Sequence, residues 1–258
     1  MDLDIRGLRV MISAGASGIG LGIARAFVRE GAKVHVCDVD PQALAVLTRS
    51  DPELSASRCD VARREEVAQF FRDALAVLGG LDCLVNNAGI AGPTGRVEEI
   101  DPQDWDRCIA VDLTGQFNCV RLAVPHLRQS GNASILHVSS LAGRLGFALR
   151  TPYTAAKHGV IGLARSLAIE LGKDRVRVNA LLPGIVEGPR QKRVLEAKGK
   201  ARGLGFDAIE RLAFSATSIQ EYVSPEQLAD LAVFLASPRA RTISGQSLSV
   251  CGDTGMLS

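Results

Sequence analysis

Tyr153 and Lys157 stand four residues apart, thirteen residues after Ser140, within SSLAGRLGFALRTPYTAAKHG. Residues i and i+4 share one face of a helix, so this spacing holds a phenol beside an ammonium. A neighbouring cation favours a phenolate, and such a group can take a proton from an alcohol or return one to a ketone. Thr151 and Pro152 read as an N-cap and a first helical residue, which puts the pair in the opening turns of a helix. Alone, a Tyr and a Lys at this spacing also suit the solvated face of an amphipathic helix, so the elements around them must decide.

The apolar run Leu8–Ile12 is followed by Ser13-Ala14-Gly15-Ala16-Ser17-Gly18-Ile19-Gly20, then a helical pattern, Gly31, and a second apolar strand ending at Asp38. Strand, glycine turn, helix and strand ending in an acid make a dinucleotide-binding unit. Its glycines admit a pyrophosphate to the positive end of a helix, and the acid accepts from ribose hydroxyls.

Taken in order, SAGASGIG (13–20), CDVD (37–40), CDV (59–61), NNAG (86–89), the Ser140/Tyr153/Lys157 set and NALLPGIV (179–186) resemble the classical short-chain dehydrogenase/reductase family. The likeness runs from about residue 8 to about 252 and includes a late segment, SPEQLADLAVFLAS to ISGQSLSVCG. It implies one doubly wound Rossmann domain over 1–258, an α/β three-layer sandwich on a mostly parallel seven-stranded sheet. It also implies a nicotinamide cofactor and a homodimer or homotetramer. Cofactor contacts are expected from Ser13, Gly15, Ser17, Gly18, Ile19, Gly20, Asp38, Asp60, Val61, Asn87, Ala88, Gly89, Tyr153, Lys157, Pro183, Gly184 and Val186. By the same resemblance Tyr153 is the acid–base, Lys157 its electrostatic partner and a ribose ligand, and Ser140 the substrate-oxygen donor. The spacing selects Ser140 over Ser139. Asp38, followed by Val39 and Asp40, favours NAD over NADP.

Three positions depart from the family pattern. Ala14 replaces a glycine, Gly188 stands where a threonine often contacts the cofactor, and Asp112 stands where an asparagine usually completes a proton relay. Asp112 can be read as a relay member, in the catalytic set, or as a structural residue inside a helix. The segment 187–222 reads as an irregular lid over the strand ends. Between 190 and 202 it carries six cations against one acid, Glu196. They form a solvated face, or some of them, Arg190 first with Arg144 and Arg150 assisting, pair with an anionic group on the substrate.

The coarse pattern places strands near 8–13, 33–37, 55–58, 81–85, 133–138, 176–181 and 246–250. Helices fall near 18–30, 41–49, 63–78, 103–129, 152–172 and 225–236. A formal charge of +2 argues against nucleic acid as a partner. No leader pattern and no long apolar run suggest secretion or a membrane span. The six scattered cysteines and four dispersed histidines form no metal-ligand set, and the cysteines read as apolar filler in a reducing cytoplasm. The expected function is an NAD-dependent oxidoreductase interconverting a small polar secondary alcohol and its ketone. The alternatives are an NADPH-dependent 3-oxoacyl-thioester reductase, or an NAD-binding sensor or assembly protein without catalysis.

Overall fold

A computed structural model describes residues 2–255; Met1 and 256–258, the ends of the expected domain, lie outside the described residues. Seven strands form one parallel sheet in the order β3-β2-β1-β4-β5-β6-β7. They are β1 Arg9–Ser13, β2 Lys33–Asp38, β3 Ser55–Arg58, β4 Cys83–Asn86, β5 Ser134–Val138, β6 Arg177–Pro183 and β7 Ser247–Val250. β4, β5 and β6 are buried along their whole length, as expected for a parallel sheet covered on both faces.

One face is covered by α1 Gly18–Arg29, α2 Pro41–Ser50 and α9 Pro225–Ala236. Their buried side chains, among them Ile23, Phe27, Leu47 and Val233, pack against Val10, Ile12 and Val36 of the sheet. The other face is covered by α3 Arg64–Leu78, α5 Gly115–Leu127 and α6 Thr151–Glu170. Phe70, Val120 and Ile161 are buried there over Met11, Leu84 and Val178. The chain leaves β1 for β2 on one side and reaches β4 on the other, so a crevice opens where the strand order reverses, the place where such sheets bind ligands.

Two expected elements differ. The helix anticipated over 103–129 is broken into α4 Pro102–Ile109 and α5 by one π-helical turn, Ala110–Thr114. Such wide turns are frequent at functional sites, and this one carries Asp112 into the interior. The segment anticipated as irregular contains α7 Pro189–Arg202 and α8 Phe206–Phe214. Its two stems are tied together, because Val223 N–H donates to Ile185 O (2.8 Å) and Glu187 N–H to Val223 O (2.9 Å). α6 begins at Thr151 with Arg150 as the flanking residue, so the cap lies one residue earlier than expected.

Candidate active site

A cleft of about 920 Å³ runs along the carboxyl ends of the strands from Asp38 and Asp60 to Tyr153 and the α7–α8 segment. It is built first from the turn after β1. Ala14 adopts φ +52° and Gly18 φ +53°. A left-handed conformation costs a residue with a Cβ roughly 1–2 kcal/mol, so the family's glycine at position 14 is replaced at a strained site. A Cβ on Gly20 would lie 2.1 Å from Ala14 O, and one on Gly15 would lie 2.6 Å from Val36. These two glycines shape the turn from behind. Ser17 is the N-cap of α1 and its side chain caps nothing, which leaves its hydroxyl and the first-turn N–H groups available to an anion.

The neighbouring strand end is clamped to this turn. Ser13 Oγ accepts from the N–H groups of Asn87 and Ala88 (3.0 Å each), while Asn87 Nδ2 donates to Ala14 O (2.9 Å). Asp38 is buried, accepting from Ala16 N–H (3.2 Å) and Asp40 N–H (3.1 Å). Asp60 accepts from Ala62 N–H (3.0 Å) and pairs with Arg107 (3.0 Å). The fit for a dinucleotide rests on these features together: a turn with no room for a Cβ at Gly15 and Gly20, an unengaged cap hydroxyl, and a carboxylate at the end of β2.

At the other end of the cleft, Ser140, Tyr153 and Lys157 share its wall. Lys157 Nζ lies 5.5 Å from the Tyr153 ring centroid. Buried beneath the phenol, this ammonium donates to Val138 O (3.1 Å) and stands 3.7 Å from Asp112 Oδ2. Asp112 Oδ1 accepts from Ile90 N–H (2.7 Å), while Oδ2 is buried without a hydrogen-bond partner. Asp112 is therefore a fully buried counter-charge to Lys157 behind the cleft wall. Ser140 Oγ accepts from Ala142 N–H (3.1 Å), leaving its proton free to donate. Ser139 donates its proton to Lys157 O (2.8 Å). That bond makes Ser139 structural and explains why the second serine is the one available.

A buried polar group supports Lys157 from below. His137 Nδ1 is 2.6 Å from Gln116 Oε1, and Gln116 Nε2 donates to Val138 O (3.3 Å), the carbonyl that also receives Lys157. Burial first, and then the Lys157 charge, bring His137 down to about 3, so it stays a neutral imidazole.

These contacts give a nucleotide-sized cleft ending in a phenol, an ammonium and a hydroxyl donor, an arrangement able to move a proton at a carbinol oxygen. A family model described as enoyl-(acyl carrier protein) reductase matches residues 13–256. The D-beta-hydroxybutyrate dehydrogenase of Cupriavidus necator is 34% identical over 247 residues, covering 93% of this chain and 95% of that protein. The chain belongs to the short-chain dehydrogenase/reductase family. The L-fucose dehydrogenase of Bos taurus is likewise 34% identical, over 94% of this chain and 87% of its own. The crystal structure of a single-site variant of actinorhodin polyketide ketoreductase with NADPH superposes with a TM-score of 0.91 at 29% identity, covering 97% of this chain and 98% of that one. As a short-chain dehydrogenase/reductase, the protein is an oxidoreductase that works on hydroxyl or keto groups of small molecules with a nicotinamide nucleotide.

Most residues expected at the cleft of this family member line it: Ser17, Gly18, Ile19, Asp38, Asp60, Val61, Asn87, Ala88, Gly89, Pro183, Gly184 and Val186, with Arg150 and Arg190. Ser13, Gly15 and Gly20 stand behind its wall in supporting positions. Arg144 is a correction. The short turn Leu141–Gly143 after Ser140 sends its guanidinium to Ser247 O and Ser249 Oγ of β7, away from the catalytic cleft. Arg107 and Phe147 line the cleft and escaped the sequence reading, while Lys198, one of the six cations read between 190 and 202, lines it too. The element patterns of the first two mark them only as ordinary helix or loop residues.

Proposed function

We propose that this protein is an NAD-dependent dehydrogenase/reductase of a small secondary alcohol and its ketone. The observation that carries the reading is the junction, in one cleft, of the Ser140–Tyr153–Lys157 set with the Asp38 carboxylate at the end of β2. Bound nicotinamide supplies the hydride acceptor for oxidation or the donor for reduction. In oxidation, Ser140 Oγ donates to the substrate oxygen and holds it against Tyr153, whose phenolate takes the alcohol proton. The Lys157 ammonium, 5.5 Å from the Tyr153 ring centroid, would hold the nicotinamide ribose beside the phenol. Asp112 keeps that ammonium in place from behind. Ser17 and the start of α1 hold the diphosphate, Asp38 the adenosine ribose diol, and Asp60 and Val61 the adenine edge. The α7–α8 segment serves as the lid of a single domain.

A carboxylate at Asp38 accepts from two ribose hydroxyls and repels a 2′-phosphate, which is the argument for NAD over NADP. The NADPH-dependent thioester reductase alternative would need a cation there; Val39 and Asp40 supply none. The names of the relatives span a hydroxy acid and a sugar, and so do not choose a substrate. A homodimer or homotetramer completes the reading, consistent with Phe117 and Ile169, which remain exposed on α5 and α6. The test is cofactor preference. The kcat/KM ratio of NAD to NADP should favour NAD in the native protein and fall at least about tenfold in Asp38→Asn, the scale of one charged hydrogen bond. An unchanged ratio would remove Asp38 from cofactor selection.

A further inference from the structure

The substrate end of the cleft holds more positive charge than its own residues neutralise. Arg150 is buried, its guanidinium carbon 4.7 Å from the Tyr153 ring centroid. Among the described residues its guanidinium makes one hydrogen bond, Nη2 to Ala91 O (2.6 Å), and its Nε is buried without a partner. Lys198 of α7 reaches into the same space, with Nζ 5.1 Å from the Phe147 ring centroid. Arg190, which donates to Gly89 O (3.0 Å), and Arg202 line the cleft as well. None of these four is paired with a carboxylate among the described residues.

The acids in the cleft stand elsewhere. Asp38 closes β2 and Asp60 follows β3, at least three strands from β5, or roughly 14 Å at ordinary strand spacing. Asp112 is engaged with Lys157 and Ile90. Glu187 is the one lining acid at the lid end. Burial pushes Arg150 down, and Arg190 adds to the push. Burial, then Arg150 and Arg202, bring Lys198 to about 8. Unpaired cations gathered in a half-dry cleft are costly unless an anion joins them.

We propose that the substrate is an anionic alcohol or keto compound whose carboxylate or phosphate is held by Arg150 and Lys198 beside the Tyr153 ring, so that the carbinol carbon falls at the phenol. This rests on the dehydrogenase reading above and narrows it to anionic substrates. Arg150 belongs to the rigid start of α6 and Lys198 to the lid, so one anion bridges the two and draws the lid onto the catalytic loop. The cofactor's own diphosphate is a poor candidate for these cations. It belongs at the start of α1, whereas Arg150 stands over the catalytic ring.

The experiment uses the native protein saturated with NAD, which occupies the diphosphate site. It is titrated calorimetrically with malonate, with inorganic phosphate and with the neutral isostere malonamide. At least one of the two anions should bind about tenfold or more tightly than malonamide, the scale of a charge-assisted contact. The tighter anion identifies the headgroup. That gain should vanish in Lys198→Gln and in Arg150→Gln, with NAD affinity unchanged in Lys198→Gln, a substitution on a half-buried helix face that leaves the core intact. Equal binding of all three probes, or anion affinity untouched in Lys198→Gln, would overturn the proposal. So would a parallel loss of NAD affinity, which would give the cations to the cofactor. The two readings fail separately. Turnover of a neutral alcohol without anion binding sinks only this inference, whereas anion binding without any turnover sinks the dehydrogenase reading, and with it the anion's place as part of a substrate, while the anion site itself stands.

Discussion

At the residue scale, chemistry depends on how the buried Lys157 side chain is held and aimed. Its ammonium has one backbone carbonyl, Val138 O, and one carboxylate, Asp112, within reach. Asp112 is wholly buried, and its second oxygen has no other partner. Removing one member of a buried ion pair strands the other, typically at about 3–5 kcal/mol. Asp112→Leu should therefore unfold at a markedly lower urea concentration, a loss on the order of 3 kcal/mol, while Asp112→Asn retains the acceptor for Ile90 N–H and loses less. Equal stability of native and Asp112→Leu proteins would show that Lys157 is held by Val138 alone. The place of Ser140 on the cleft wall was legible in the sequence because the spacing to Tyr153 singled it out over Ser139, whose proton goes to Lys157 O. The burial of Asp112 was not legible, because it depends on a lysine 45 positions later in the chain and on a π turn with no sequence mark.

At the element scale, the glycine turn, α1 and the parallel strands follow from local signals: apolar runs, turn glycines and an acid closing β2. The lid does not. Half of α7 is charged and it buries only Leu195 and Gly199, so its periodicity is too weak to announce a helix; its position comes from the pairing of its stems at Val186 and Val223. Arg144 misled for a related reason: closeness in sequence to Ser140 said nothing of the turn that carries it to β7. Gly188 resolves one departure from the family pattern. It enters α7 at φ +137°, a conformation essentially confined to glycine, so a threonine would not fit this lid's entry. Gly188→Ala should cost about 1–3 kcal/mol of local strain. Cleavage of the 187–222 segment by limited proteolysis should speed up and KM should rise, while the global unfolding midpoint moves little. Proteolysis at the native rate would show that the entry tolerates a side chain.

Across the whole molecule, two histidines are built into the sheet as neutral groups. Burial, partly opposed by Asp73, brings His35 to about 4, and His137 lies at about 3. Between those values and an unfolded value near 6.5, the unfolded chain binds more protons than the folded one. Their contribution is complete above about pH 6.5 and is lost as pH falls toward 4 for His35 and toward 3 for His137, and it amounts to several kcal/mol at about 1.4 per unit. Carboxylates such as Asp51, held low by Arg25, give way only at lower pH. Unfolding free energy should therefore drop between pH 7 and pH 5; a flat profile there would mean the histidines titrate alike in both states. The three-layer fold gathers this buried polar group, the cofactor turn and the lid around a single crevice, and Tyr153 is the one residue through which the proposed reaction must pass. The decisive measurement is NAD reduction, followed by absorbance with a panel of hydroxy acids, sugars and neutral alcohols, by the native protein and by Tyr153→Phe. Turnover in the native protein that falls by about 10²–10⁴ in Tyr153→Phe, with NAD affinity retained, is the expected result. Equal turnover by the two proteins would contradict the assignment of Tyr153 as the acid–base.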